Sequence, residues 1–441
     1  MPTRSCALAA ALTAAFIAAT ASPAQNPVPS APTAPAADAG SRPVAVDFAG
    51  DVDFLLRELP RLHPAPFAVV SEEEWRREGA ALKARLASLD PERATVALRS
   101  FVARIGDGHT VLAADGRSRT PLVYRLPAAL TKVAEGFVFR ALPAEHAAFL
   151  GRPVRAVNDV AWDDAAKRLA GTFAAENDSW AAELLAEAIL DRATLRAVGL
   201  ADDGGLTKFT LDGADGRPAS FSLAPPRDNE AAKKIRFARR PDFPDLRESL
   251  SPRRPTYGRR PVAEARALYV WYDACREDPR LPLGPFLAET LADFTAGTTA
   301  SPPAYERLVL DLRRNSGGDS RLLEPLIDGL ARDAATAPPG RLRVLVGRRT
   351  FSSAVLNASA LKTRAKAALY GEPTGGALNH CGEIKTLRLP GTGLVLQHST
   401  KIFRLVDGPG RTLEPDRLLI PDAAAFGAGL DPVYEAALRR E

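Results

Sequence analysis

The chain reads as an α/β protein, and three observations in its second half carry that reading. Ala267–Tyr272, Leu308–Leu312 and Leu342–Val346 are short, apolar and rich in β-branched and aromatic residues, as buried strands are. Phe286–Phe294, Leu322–Leu330 and Ser353–Lys366 alternate with them and have helical character. Two of the strands end in polar turns, Asn315-Ser316-Gly317-Gly318 and Thr350-Phe351-Ser352-Ser353, each followed by a helix. Strand and helix in alternation over this length argue for a layered domain.

In chain order, residues 1–21 carry Arg4, an apolar run and Ala19-Thr20-Ala21, the pattern of a secretory signal peptide. Residues 22–45 are rich in Ala and Pro and read as a tether. Residues 46–118 form a helical region. Phe54, Leu55, Leu56 and Leu59 come first, then the acidic start Ser71-Glu72-Glu73-Glu74, and a last helix over Ala97–Ile105 closes on Gly106. Residues 119–225 are β-rich, with helical runs at Asp163–Ala170 and Trp180–Arg192. Residues 226–264 are dense in Pro, Arg and Lys and read as a linker, and residues 265–441 hold the layered domain.

Two turns carry the chemistry. A serine at a strand-to-helix turn can expose its hydroxyl beside the free N–H groups and positive end of the helix, which suit an oxyanion. Taken alone, Ser352 or Ser353 reads as a helix cap. Gly317-Gly318 lets the backbone turn tightly and present bare amides as the second part of an oxyanion hole. Asp311-Leu312-Arg313-Arg314-Asn315-Ser316-Gly317-Gly318, then Thr350-Phe351-Ser352, then Gly371-Glu372-Pro373-Thr374-Gly375 resemble in order and spacing the S41 family of serine peptidases, its C-terminal-processing (tail-specific) and tricorn-like group. The resemblance implies a ClpP/crotonase-like catalytic domain. It makes Ser352 the nucleophile, one helix and one strand before Gly371, with the amides of Gly317, Gly318 and Ser353 as oxyanion hole.

The rest of the site is implied less directly. Many S41 peptidases use a Ser–Lys dyad with a lysine after the Gly-Glu-Pro-Thr turn, but Gly375-Gly376-Ala377-Leu378-Asn379 stands there. Lys362 lies about 15 Å along the helix from Ser352, beyond hydrogen-bond reach. Asp107-Gly108-His109, at the end of the helical region, resembles the histidine motif of the tricorn-like branch and makes His109 the base, although Gly108 replaces the serine of the tricorn proteases. Asp107 and Gly108 read as shaping the turn. Glu383, Asp407 and Glu414 are candidates for the carboxylate that orients the imidazole; Glu383 is preferred for its place near the Gly-Glu-Pro-Thr turn, with Glu414 next. Leu150-Gly151-Arg152-Pro153-Val154-Arg155-Ala156-Val157-Asn158 and the helix after it resemble the core of a PDZ-type module, which would capture an extended peptide by strand addition.

Composition bounds the alternatives. With 46% hydrophobic and 25% charged residues the chain is globular in class. Its net charge of +5 comes from 58 Lys+Arg spread among 53 Asp+Glu, with no basic stripe for nucleic acid. His63, His109, His146, His380 and His398 are scattered, no Cys/His cluster has metal spacing, and no cofactor motif is present. Cys275 and Cys381 read as free thiols or a disulfide. The expectation is an exported, periplasmic or secreted serine peptidase acting on peptide or protein, not inserted in a membrane after signal cleavage. A non-catalytic peptide- or ligand-binding protein and a small ester or amide hydrolase stay open.

Overall fold

Asp47, Ser71 and Asp90 each use a side-chain oxygen to cap a helix, and those helices build the N-terminal region: α1 (Phe48–Leu62), α2 (Glu72–Leu86) and α3 (Pro91–Ala103). The computed structural model describes residues 46–120, 125–202, 204–213, 216–239, 255–333 and 338–440. The signal-like segment and the Ala/Pro-rich tether lie outside them. Val52, Leu55, Leu59, Trp75, Leu82, Leu98 and Phe101 are buried together with Leu389, Leu394 and Leu396, which belong to a hairpin far along the chain. Each such side chain contributes about 1.5–3 kcal/mol when fully buried, so the helical region is held to that hairpin by its core. Asp51 reinforces the contact by accepting from the backbone N–H groups of Gly391 (2.6 Å) and Thr392 (2.7 Å).

After α3 comes the short strand β1 (Val111–Ala113). The middle region then forms β2 (Ala129–Val133), β3 (Gly136–Pro143), β4 (Val154–Val157), β5 (Val160–Ala161), α4 (Trp162–Ala170), α5 (Asp178–Ala188), α6 (Arg192–Ala197), β6 (Thr207–Asp212) and β7 (Pro218–Leu223). Its strands fall into two small sheets, β2-β3-β8 and β5-β4-β6-β7, where β8 is Phe237–Arg239. Phe139, Val157, Leu169, Ile189, Leu195 and Phe209 share their core.

The segment expected to be a linker is structured where it is described. It holds β8, the helix α7 (Asn229–Lys234) with Asp228 as its cap, and β9 (Tyr257–Val262), which pairs antiparallel with β10 (Ala267–Tyr272). Tyr257 is fully buried, so β9 belongs to the layered domain rather than to a connection. Proline and arginine density hid a strand because an edge strand tolerates both.

The layered domain continues with α8 (Leu283–Thr299), β11 (Arg307–Asp311), α9 (Glu324–Asp333), β12 (Leu342–Val346), α10 (Ser353–Arg364), β13 (Ala368–Gly371), β14 (Asn379–Arg388), β15 (Val395–Arg404), β16 (Arg417–Leu418), α11 (Ala423–Ala428) and α12 (Pro432–Leu438). One sheet runs β16-β13-β12-β11-β10-β9, parallel except for β9. Every residue of β11 and β12 is buried, as strands covered on both faces require. On one face α8, α9 and α10 contribute Phe286, Leu287, Leu326, Ile327, Leu330, Ala358 and Leu361. On the other, Val433, Tyr434 and Ala437 of α12 cover Tyr269, Val309 and Leu345. Buried Arg313 ties the sheet to that helix, bridging Asp311 (2.7 Å) and Asp431 (2.8 Å). The hairpin β14–β15 continues into β1, which pairs antiparallel with β15, so the helical region joins the layered domain through backbone as well as core. Among the described residues, no helix is long and apolar enough to cross a membrane.

Candidate active site

Ser352 stands between β12 and α10 with φ 53° and ψ −128°. This is an unfavourable conformation for a residue with a side chain, and surroundings must impose it. They do so by backbone hydrogen bonds on both sides: Phe351 N–H donates to Asn315 O (3.1 Å) and Gly376 N–H to Thr350 O (3.0 Å). Thr350 Oγ1 donates to Leu312 O (2.9 Å), fixing the turn to the end of the neighbouring strand. Two glycines let the chain pass this closely. A Cβ on Gly317, whose φ is +108°, would stand 2.7 Å from Ser352 Cβ, and one on Gly376 would stand 2.9 Å from Ser352 N. The Ser352 side chain does not cap α10.

The three expected oxyanion residues separate by what their amides already do. Gly317 N–H is committed, donating to Asn315 Oδ1 (2.9 Å). The Gly317 carbonyl accepts from Cys275 N–H (2.9 Å), and because a trans peptide points N–H and C=O in opposite directions, this bond turns the Gly318 N–H away from Cys275. Ser353 Oγ donates to Gly318 O (2.6 Å), holding the next peptide plane. Ser353 N lies 3.1 Å from where a Gly317 Cβ would be, so the two turns meet beside Ser352. Of the three amides, that of Gly317 is thus already spent on Asn315.

His109 reaches this turn through its ring. It stacks on Phe351, the residue before Ser352, with centroids 4.5 Å apart, and Phe351 stacks on Trp180 at 4.1 Å. The ring is 3% exposed. His109 Nδ1 faces two carboxylates, Glu176 Oε1 at 3.2 Å and Asp107 Oδ1 at 3.5 Å. A carboxylate can only accept, so Nδ1 carries the proton and Nε2 has the lone pair when the ring is neutral. Burial opposes charge on His109, but hydrogen bonds and attraction from Asp107 and Glu176 outweigh it, and its pKa is raised to about 9. Nε2 is buried and bonds no described residue, so there is no direct Ser352–His109 hydrogen bond in this structure.

The carboxylates facing His109 are therefore Glu176 and Asp107, not Glu383. Glu176 Oε2 also accepts from Ala377 N–H (3.0 Å), which ties it to the segment after Gly376. Asn177, the cap of α5, donates to Thr374 O (3.2 Å) and Arg411 O (3.0 Å), and Arg348 pairs with Glu183 at 3.1 Å, clamping the middle region onto the layered domain. Glu383 lies at an irregular point of β14 with φ 53°, its side chain 64% exposed and 3.7 Å from Lys401. Glu414 accepts from Thr412 Oγ1 (2.7 Å), and exposed Asp407 stands at a cavity rim. Neither is bonded to His109. Lys362 is paired with Asp416 at 2.7 Å.

Asp107 does more than shape its turn. It accepts from His109 N–H (2.9 Å), Thr110 Oγ1 (2.5 Å), Ser399 Oγ (2.6 Å) and His63 Nε2 (2.9 Å). Burial works against its charge, yet donation from His109, His63 and Ser399 holds its carboxyl well below the usual carboxylate range. Ala65 N–H donates to His63 Nδ1 (3.2 Å), which fixes the His63 proton on Nε2, toward Asp107. Asp107, His109 and Glu176 bring ligand-type atoms within 4.8 Å of one another, a set that a metal ion could share. Here the His109 N–H groups already serve both carboxylates, which is acid–base geometry. Neither Glu176 nor His63 carried a signal in the sequence. Cys275 and Cys381 are free thiols, and Cys275 Sγ lies 3.3 Å from Asn357 Oδ1.

The fold is shared with mature CPAF. The chain matches the crystal structure of mature CPAF at 14% identity and TM-score 0.56, over 89% of this chain and 95% of that one. It matches mature CPAF complexed with lactacystin at 13% identity and TM-score 0.59, over 89% and 96%. The photosystem II D1 C-terminal processing protease matches at 16% identity and TM-score 0.40, over 86% and 94%. No family model and no curated protein sequence matches the chain.

Proposed function

We propose that the protein is a serine peptidase of the S41 type. In this reading Ser352 Oγ attacks the scissile carbonyl carbon, and His109 Nε2 takes the hydroxyl proton and returns it to the leaving amine. Glu176 holds the imidazole through Nδ1–H, and the Gly318 and Ser353 amides receive the oxyanion. A water then repeats the sequence on the acyl-enzyme with His109 again as base, freeing Ser352. The observation that carries the reading is His109 seated on Phe351, beside a serine held in a strained turn, with Nδ1 against a buried carboxylate. Catalytic bonds are often long before substrate is bound, so the missing Ser352–His109 bond does not remove His109 as base.

The middle region enters this proposal twice: it supplies Glu176, and as a PDZ-type module it would hold the substrate chain. Residues 1–21 add export to the periplasm or outside the cell; N-terminal sequencing of the mature chain starting at Met1 would refute that. The decisive experiment is labelling with a fluorophosphonate. Stoichiometric modification of Ser352 is expected. An unmodified, folded protein would favour the second reading, a peptide-binding relative without turnover, to which the unbonded His109 Nε2 lends its one observation.

A further inference from the structure

A cavity of about 820 Å³ opens between the helical region and the β14–β15 hairpin. It is contiguous with the site yet is not lined by Ser352 or by either glycine of the oxyanion turn. Its floor includes Asp107 and Glu176, the two groups on His109 Nδ1. One wall is Ala377, next in chain to the Gly376 that packs on Ser352 N. The cavity is thus joined to the backbone of Ser352 through Gly376 and to His109 through its two carboxylates.

The lip is apolar and exposed: Val69 at 72%, Ile402 at 37%, Leu405 and Val406 each at 41%. These side chains come from three places, the loop after α1, the end of β15 and the loop beyond it, and they converge on one opening. The polar groups of the floor are already committed. Asp107 accepts four hydrogen bonds, Glu176 two, and His380 bonds Ala377 O through Nδ1 (2.7 Å). Arg404, Asp407 and Arg411 stand at the mouth and are exposed to solvent. A floor with its hydrogen bonds satisfied and an apolar lip reward apolar surface over a charged group, which would have to give up its hydration there.

We propose that this cavity is a subsite for a large apolar side chain of the substrate peptide, adjacent to the scissile bond. The inference rests on the peptidase reading, and its test separates the two. Fluorescein-labelled hexapeptides that differ only by Leu, Lys or Asp at one scanned position are titrated into the Ser352→Ala protein and followed by anisotropy. At one position the Leu peptide should bind about tenfold tighter than the Asp peptide, the effect expected of burying one large side chain. Ile402→Asp and Ala68→Trp, which charge the lip and fill the mouth, should each erase that preference. Thermal unfolding checks both variants, so that one remains informative if the other is unstable. Equal binding of the three peptides, a preference for Lys over Leu, or a Leu preference surviving both substitutions overturns the subsite. A Leu preference without fluorophosphonate labelling of the unmutated protein keeps the subsite and removes the peptidase chemistry.

Discussion

Ser352 and the amides beside it come from two successive strand-to-helix turns of one sheet, whereas the surroundings of His109 come from three separate parts of the molecule. The serine turn is fixed by neighbours such as Leu312, Asn315, Thr350 and Gly376. The histidine is fixed by His63 and Asp107 of the helical region, Glu176 of the middle region, and Gln397 and Ser399 of the hairpin. One half of the site is a property of a single sheet. The other exists only while three regions stay docked, so loosening any docking contact should disable the histidine and leave the serine turn standing.

The sharpest cut between the halves is at the serine. Ser352→Ala should abolish fluorophosphonate labelling and lower kcat by about 10⁶-fold, while Ser353→Ala should keep labelling, since its amide remains. The reverse pattern would move the nucleophile to Ser353. On the other side, His109→Ala should lower kcat/KM by roughly 10⁴-fold. With its pKa raised to about 9, His109 carries a proton at neutral pH, so in the proposed mechanism kcat/KM of the unmutated protein should climb until about pH 9. A plateau already reached by pH 7 would contradict the two-carboxylate environment. The same shift stabilises the fold: it is fully present below the unfolded value of 6.5 and lost as pH rises through about 9, which denaturant titrations across that window would show.

Smaller effects test the supports. Arg313→Met leaves Asp311 and Asp431 buried without their partner and should cost about 3–5 kcal/mol in urea unfolding, a loss on the serine side through the sheet. Glu176→Gln should reduce kcat about 100-fold and shift the pH profile toward acid, because one of the two charges holding the imidazolium is gone. Glu383→Gln should leave both unchanged. If the two substitutions behaved alike, the carboxylate assignment would fail.

The difference between the halves also explains what could be read from sequence. The alternating strands and helices and the paired glycines were legible because apolar period and turn chemistry are local, whereas Ser352 was singled out by the resemblance. His109 was legible through the resemblance of Asp107-Gly108-His109 and not through its environment. Glu383 was chosen for nearness along the chain, but at the irregular point of β14 its side chain is exposed and faces Lys401. Gly317 was read as a donor, and its amide is spent on Asn315. Tyr257–Val262 was read as part of a linker because nothing in a Pro- and Arg-rich run announces an edge strand that needs a partner, β10, to exist.

By itself the sequence determined the alternation of strand and helix, the acidic start of α2 at Ser71, and a serine at a strand-to-helix turn. Each depends on residues within a few positions, where dihedral preference and side-chain period act directly. Only the tertiary structure decided which carboxylates face His109, what Asp107 binds, and that the Gly317 amide is spent on Asn315. Those choices come from packing between segments far apart in the chain, and a hydrogen bond across 67 or 292 positions leaves no periodic trace in either segment.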